Sequence, residues 1–375
     1  MVQNAADALQ KNLIVGLAAH WPSVSVVNLP FVGSYPRFFR KKVFPGTNES
    51  LLPNVNVLGQ GFALRRLIKT PSRTVAAFKG VVRSDRERHA IILIYSAHLP
   101  FLIAALLYRM IFKKSRTCLI LPDLPEFMGE GGRLYTIAKA IESRVFYVLV
   151  KRVDAFVVLT RFMAEKLGLE PGTFTVVEGI ADDALAGEGP PPLPTRGRIF
   201  LYTGTLASRY GVMDLVNAFK AVRAPDAELW ICGEGDSKDQ IEWAAQQDTR
   251  IRFFGQVPRD EARRLQSQAT VLVNPRTPAG EFTKYSFPSK TMEYMASGRP
   301  VLMHRLPGMP EDYVPYFIQP SEPTVESLAT AMEDLAAWDT DRLATFGARS
   351  RAFVLREKNA VAQCRKIVDL ILSTR

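Results

Sequence analysis

Cysteine is scarce in this 375-residue chain: only Cys118, Cys232 and Cys364, far apart and forming no CxxC pair. Cys118 and Cys232 sit in apolar runs (TCLIL and LWICG), where buried reduced thiols are the default. A disulfide scaffold is excluded, and a reducing, cytoplasmic setting is expected. The four histidines show no metal-ligand spacing. The literal DxD at Asp339-Thr340-Asp341 precedes a C-terminal helix and reads as a cap, not a metal site. A full G-x-G-x-x-G is absent; "GEGD" (Gly233–Asp236) is only a fragment of it and argues weakly for a dinucleotide. Met1–Gln10 is polar and shows no signal peptide. The most apolar stretch, Ala90–Phe112, is broken by His98 and Pro100 and carries Arg109. It reads as strand, loop and helix, not as a membrane span. There are no repeats, and no low-complexity segment beyond one proline-rich linker.

What is present is apolar material and positive charge. Hydrophobic residues make up 47% of a chain long enough for two cores, and the net charge is +11. Residues 1–190 hold 24 basic against 15 acidic side chains, a balance of +9; residues 191–375 hold 24 against 22, a balance of +2. A basic first half attracts an anionic substrate, anionic lipid or nucleic acid. The basic residues form no nucleic-acid-binding motif, so that partner is set aside. The runs "RFFRKK" (Arg37–Lys42) and "KKSR" (Lys113–Arg116), the latter ending an apolar helix, suit contact with anionic lipid.

Residues 198–303 alternate strand and helix. "RIFLYTGT", "AELWICG", "RIRFFGQV", "TVLVNPR" and "RPVLMH" read as strands, apolar nearly throughout, and the segments between them have helical periodicity. Such alternation predicts a buried parallel sheet in a doubly wound α/β domain. Residues 1–188 read similarly but more roughly, opening directly on a helix over "DALQKNLIVGLAA". "ALAGEGPPPLPTRG" (Ala184–Gly197) is incompatible with a helix interior or central strand. The expected division is 1–188, a linker at 189–197, a second domain at 198–340, and a helical segment at 341–375 packing back toward the first domain.

Ligands of doubly wound domains bind at the C-terminal ends of the strands. Four such ends are glycine-rich or polar: Thr203–Gly211, Gly233–Asp236, Gly255–Glu261 and Asn274–Lys290. The first offers backbone donors and Arg209, whose planar fork suits phosphate, although alone it also reads as a surface turn with a solvated arginine. In the last, a helix is expected over about Ser289–Ser297, capped by Ser286 or Ser289 and ended at Gly298. Its N-terminus, with Lys284 and Lys290, favours an anion. Glu293, three residues after Lys290 and on the same face, suits a hydroxyl-bearing ligand such as a ribose diol. The bland alternative is a surface Lys–Glu pair worth little.

"FPSKTMEYMASGRPVL", in order after "YTGTLASRYGVMDLVNAF", "AELWICGEGD" and "RIRFFGQVP", resembles the nucleotide-sugar motif of retaining GT-B glycosyltransferases, in particular glycosyltransferase family 4 in an FPSK-type variant. The resemblance is close over residues 198–310 and looser before. It implies two Rossmann-like domains facing a central cleft. The donor is a nucleoside diphosphate sugar, with no cofactor and no metal, and the acceptor a glycan or lipid-linked glycan. It further implies a cytoplasmic protein at the inner membrane face. Glu293 matches the second glutamate of the family's paired motif, which binds ribose; the first falls at Tyr285, so either Glu281 substitutes for it or the FPSK-type variant positions the sugar differently. The phosphate-binding lysine falls at Tyr210, which leaves Arg209, supported by Lys290. The donor side then comprises Gly204, Thr205, Arg209, Gly233, Glu234, Val257, Glu281, Tyr285, Ser286, Phe287, Ser289, Lys290 and Glu293. In "LPDLPEF" the family's histidine is Pro122, while Asp123 is retained. Asp123, Arg209 and Lys290 are the catalytic candidates, and His98, Asp123 and Glu126 the acceptor-side ones. Family members begin with a strand and glycine turn that this chain does not show, so a truncated or misassigned start is expected. These departures also fit a non-catalytic nucleotide-sugar-binding partner in a polysaccharide assembly complex. A GT-B-like epimerase would need acid and base residues at the sugar, and none is evident.

Overall fold

The computed structural model describes residues 4–36, 39–127, 133–182, 189, 192–194 and 197–374. Arg37 and Phe38 of the first basic run, and most of the proline-rich linker, lie outside them. The chain forms two compact units: Met1–Glu178 with Gln363–Arg375, and Gly179–Ala362.

The first unit opens on α1 (Asn4–His20) and β1 (Val24–Asn28). Short strands follow: β2 (Val43–Phe44), β3 (Asn48–Leu52), β4 (Val55–Gly59) and β5 (Phe62–Ala63). Then come α2 (Arg66–Ser84), β6 (Ile91–Tyr95), α3 (Leu99–Ile111), β7 (Arg116–Leu121), α4 (Arg133–Leu149), β8 (Ala155–Val158), α5 (Arg161–Leu167) and β9 (Phe174–Val176). Its strands do not make one sheet. β6-β7-β8-β9 is a parallel four-stranded sheet. β1-β4-β3 is separate, with β1 parallel to β4 and β3 antiparallel to it; β2 and β5 pair alone. Within the four-stranded sheet, β7 and β8 are almost wholly buried while β6 is half-exposed, as expected of central and edge strands.

The second unit carries β10 (Arg198–Thr203), α6 (Val212–Ala221), β11 (Ala227–Cys232), α7 (Lys238–Gln247), β12 (Ile251–Phe253), α8 (Arg259–Gln268), β13 (Val271–Asn274), α9 (Ser289–Ala296), β14 (Val301–Met303), α10 (Val325–Ala337) and α11 (Thr340–Glu357). Its five strands form one parallel sheet, ordered β12-β11-β10-β13-β14. β10, β11, β13 and β14 are buried nearly throughout, because helices cover both faces. Leu215, Val216 and Phe219 of α6 pack on one face with Phe200, Leu229 and Val271. Met292, Met295 and Phe353 pack on the other with Leu201, Leu272 and Val301. The order reverses between β10 and β13, and a ligand is drawn to such a switch point.

The last helix, α12 (Ala360–Ser373), starts in the second unit and from Gln363 belongs to the first. There Arg116 donates to the carbonyls of Ile371 (2.9 Å) and Thr374 (2.6 Å). Asp339 caps α11 by accepting from the Arg342 N–H at 2.7 Å, the role its sequence suggests. The three cysteines are buried, and burial pushes each thiol up to about 12.

Candidate functional site

Two glycine loops are clamped together at the C-terminal edge of the second sheet. Gly233 has φ 152°, and a Cβ there would lie 1.8 Å from the Gly204 carbonyl oxygen; one at Gly235 would lie 2.4 Å from that of Leu206. Leu206 N–H donates to Glu234, and Ser237 N–H to Leu206, each at 3.0 Å. The N–H and hydroxyl of Ser208 donate to Asp236 (2.8 and 2.9 Å), which holds that carboxyl below its ordinary range. "GEGD" therefore braces the first loop. Glu234 is exposed and pairs with Lys238. Gly204 and the exposed Thr205 follow β10 directly, and the Tyr202 hydroxyl fixes the Thr205 carbonyl at 2.8 Å.

The same loop meets the one after β13. Gly211 (φ 73°) lies against Pro275, where a Cβ would come within 2.6 Å of the carbonyl oxygen. Arg209 is thereby brought beside Arg276, a residue the sequence reading missed. The Arg276 guanidinium lies 4.5 Å from the Phe282 ring centroid and 5.2 Å from that of Tyr210, and donates to Ser286 Oγ at 2.8 Å. Its Nε is buried with no partner, and burial lowers its pKa. Arg209 is exposed, lies 5.3 Å from the Tyr210 ring, and forms no ion pair among the described residues. Its position just after a strand was the one available signal for Arg276.

At α9 the expected cap is corrected. The N-cap is Pro288, and neither Ser286 nor Ser289 caps the helix. Ser286 instead donates to the Phe282 carbonyl while accepting from Arg276. Among the described residues the Ser289 and Lys290 N–H groups find no acceptor, which leaves that end suited to an anion. Phe287 is buried against Tyr313, with ring centroids 5.3 Å apart, so its side chain belongs to the core. Val257 likewise packs half-buried on this core.

Glu293 is held from two sides. Its Oε1 accepts from Gln266 Nε2 at 2.7 Å and its Oε2 from Lys290 Nζ at 3.3 Å. Gln266, 3% exposed at the end of α8, also donates to Thr203 Oγ1, and the Tyr294 hydroxyl accepts from Thr203 N–H at 2.8 Å. This network ties Glu293 to the end of β10, and nothing in the sequence marked Gln266. Tyr285, at the position expected for a carboxylate, donates from its hydroxyl to Glu281 Oε1 at 3.2 Å.

In the first unit, His98 and Asp123 follow the adjacent parallel strands β6 and β7. His98 lies 4.2 Å from the Phe31 ring, and burial, then Arg73 and Lys139, lower its pKa to about 4. It is therefore neutral at pH 7. Crowding raises the Asp123 carboxyl, an effect its open surface moderates. Glu126 does not stand free for an acceptor. Lys166 (2.8 Å) and the Tyr147 hydroxyl (2.8 Å) engage it and outweigh desolvation, which lowers its pKa. No group of residues that could hold a metal ion occurs among the described residues.

Residues 197–337 match the family model for glycosyl transferases group 1. No curated protein matches the chain by sequence. Among solved structures, sucrose-phosphate synthase from Thermosynechococcus elongatus is 18% identical with a TM-score of 0.65, covering 97% of this chain and 92% of its own. A structure of trehalose-6-phosphate from E. coli bound with UDP-2-fluoro glucose is 11% identical with a TM-score of 0.66, covering 96% and 95%. Anabaena HepE in complex with UDP is 16% identical with a TM-score of 0.58, covering 85% and 86%. These likenesses show the fold: the chain is α/β, of the GT-B type.

Proposed function

We propose that the chain is a family 4-type glycosyltransferase. It moves a sugar from a nucleoside diphosphate sugar to a glycan or lipid-linked glycan, with retention of anomeric configuration. One observation carries this: an oriented carboxylate, Glu293, pairs with Lys290 in the first turns of α9, and Arg276, with Arg209 near it, reaches the start of that helix through Ser286. The match of residues 197–337 and the UDP held by the similar Anabaena protein support it.

In this reading Glu293 accepts hydrogen bonds from the ribose diol, each worth about 1.5–3 kcal/mol as a charged pair. The α9 N-terminus and the cations hold the diphosphate. As the bond from the anomeric carbon to the diphosphate breaks, negative charge builds on the leaving oxygen, and fixed cations stabilise that change most. The acceptor oxygen bonds to the anomeric carbon on the same face, and its proton passes to a leaving phosphate oxygen, so no protein base is needed. Neutral His98 and Asp123 serve the acceptor side. We assign no metal, since the cations carry the charge neutralisation.

The second reading, a non-catalytic sugar-nucleotide-binding partner, is favoured by Tyr285 standing where a carboxylate is expected. A thermal-shift panel of sugar nucleotides followed by a transfer assay separates the two. Stabilisation with turnover supports the transferase, and stabilisation without turnover on any acceptor supports the partner.

A further inference from the structure

The α4 helix exposes its most apolar side. Phe146, 1% exposed, faces the core. On the other side Ile137, Ile141, Val145 and Val148, at spacings of four, four and three, form a ladder in the open. The end of α3 adds Leu107, Met110 and Ile111, and these seven side chains are 37% exposed or more. The two helix ends lie together. Arg109 donates to the Arg152 carbonyl at 3.1 Å and pairs with Asp154. Exposed Lys113, Lys114, Arg144, Lys151 and Arg152 surround the apolar side chains. Of the nearby acids, Glu142 is engaged by Lys139, and Asp154 by Arg109 and Thr117.

We propose that α4 and the end of α3 form a docking surface for an anionic lipid membrane, with the helices lying in its interface. An exposed apolar ladder flanked by basic side chains matches a headgroup–acyl boundary, which takes apolar groups and attracts cations together. Two copies of the chain meeting on this face would oppose their basic rims, which disfavours a dimer. A water-facing role leaves the apolar ladder without a purpose. No helix among the described residues is long and apolar enough to cross a membrane, so the contact is peripheral. The surface deepens the proposed use of a lipid-linked acceptor. It is tested without donor or turnover, so its failure is distinguishable from failure of the transferase reading.

The test is co-sedimentation of the full chain with phosphatidylcholine vesicles, with and without about one-third phosphatidylglycerol. Binding to the anionic vesicles that weakens with salt is expected. Ile137→Ser/Ile141→Ser/Val148→Ser should cut it about tenfold or more with an unchanged melting curve, because these side chains face water. Lys113→Gln/Lys114→Gln/Lys151→Gln/Arg152→Gln should remove its salt dependence, and serves as the test should the serine variant melt early. Absence of binding, or binding that both variants leave intact, overturns the proposal. So does a dimer in light scattering that the serine variant dissolves.

Discussion

The two units use the same strand–helix alternation to different ends. In the second, five parallel strands form one sheet, and glycine contacts lock the loops at its switch point. In the first, the strands divide among separate sheets, β6 is a half-exposed edge, and α3 and α4 turn apolar side chains outward. The charge divides likewise: the first unit holds 27 basic against 13 acidic side chains, +14, and the second 21 against 24, −3. The difference is between a unit whose loops are held by close backbone contacts and one that leaves apolar and basic side chains outward.

The largest expected effect tests the rigidity of the second unit. Gly233→Ala places a Cβ on the Gly204 carbonyl, so the two loops must separate. We expect a loss of about 3 kcal/mol, read as a drop in Tm of roughly 5–10 °C, together with loss of donor binding. A variant that melts and binds normally breaks the comparison. Next, Arg276→Ala should lower kcat about 100-fold by removing one fixed cation from the leaving diphosphate. Arg276→Lys should recover only part of this, because the planar fork is lost. Equal turnover in wild type and Arg276→Ala would remove the residue from the site.

The pH response sharpens the comparison from the other side. His98 titrates at about 4 in the folded chain against an ordinary 6.5, so the unfolded chain binds more protons between those values. Stability is then lost as pH falls from 6.5 toward 4, by about 2 kcal/mol between pH 7 and 5. His98→Phe should flatten that part of the Tm–pH curve, and an unchanged curve would show that the depressed pKa is absent. The smallest effect is at Glu293. Glu293→Ala should weaken donor binding at least about tenfold, a change of about 1.4 kcal/mol or more, and Gln266→Ala should give a smaller loss in the same direction. Isothermal titration with the bound sugar nucleotide reads both, and a Gln266→Ala effect exceeding that of Glu293→Ala would reverse their assigned roles.

Much of the second unit was legible because its strands are continuous apolar runs between periodic helices, and α9 announced itself by Pro288 and Gly298. Glu293 was legible from its spacing to Lys290. Gln266 was not, because its role depends on contact with Thr203 and Glu293, far away in sequence. Arg276 was hidden in a proline-rich loop, where period carries no information. The expected serine cap failed because Ser286 bonds the preceding turn, leaving Pro288 to open α9. The burial of the Phe287 side chain was not legible, because a motif fixes neighbourhood and not side-chain direction. In the first unit, the periodicity of α4 marks Ile137, Ile141, Val145 and Val148 as an apolar face, but only the structure shows that this face is exposed. The splitting of the sheets depends on strand pairing, which single-strand patterns do not encode.

The most direct test of the central claim is a thermal-shift panel of nucleoside diphosphate sugars on the intact chain and on Glu293→Ala. The account predicts that at least one sugar nucleotide raises the wild-type Tm, and that the shift shrinks in the variant at the same ligand concentration. No shift with any sugar nucleotide, or an equal shift in both proteins, would contradict it.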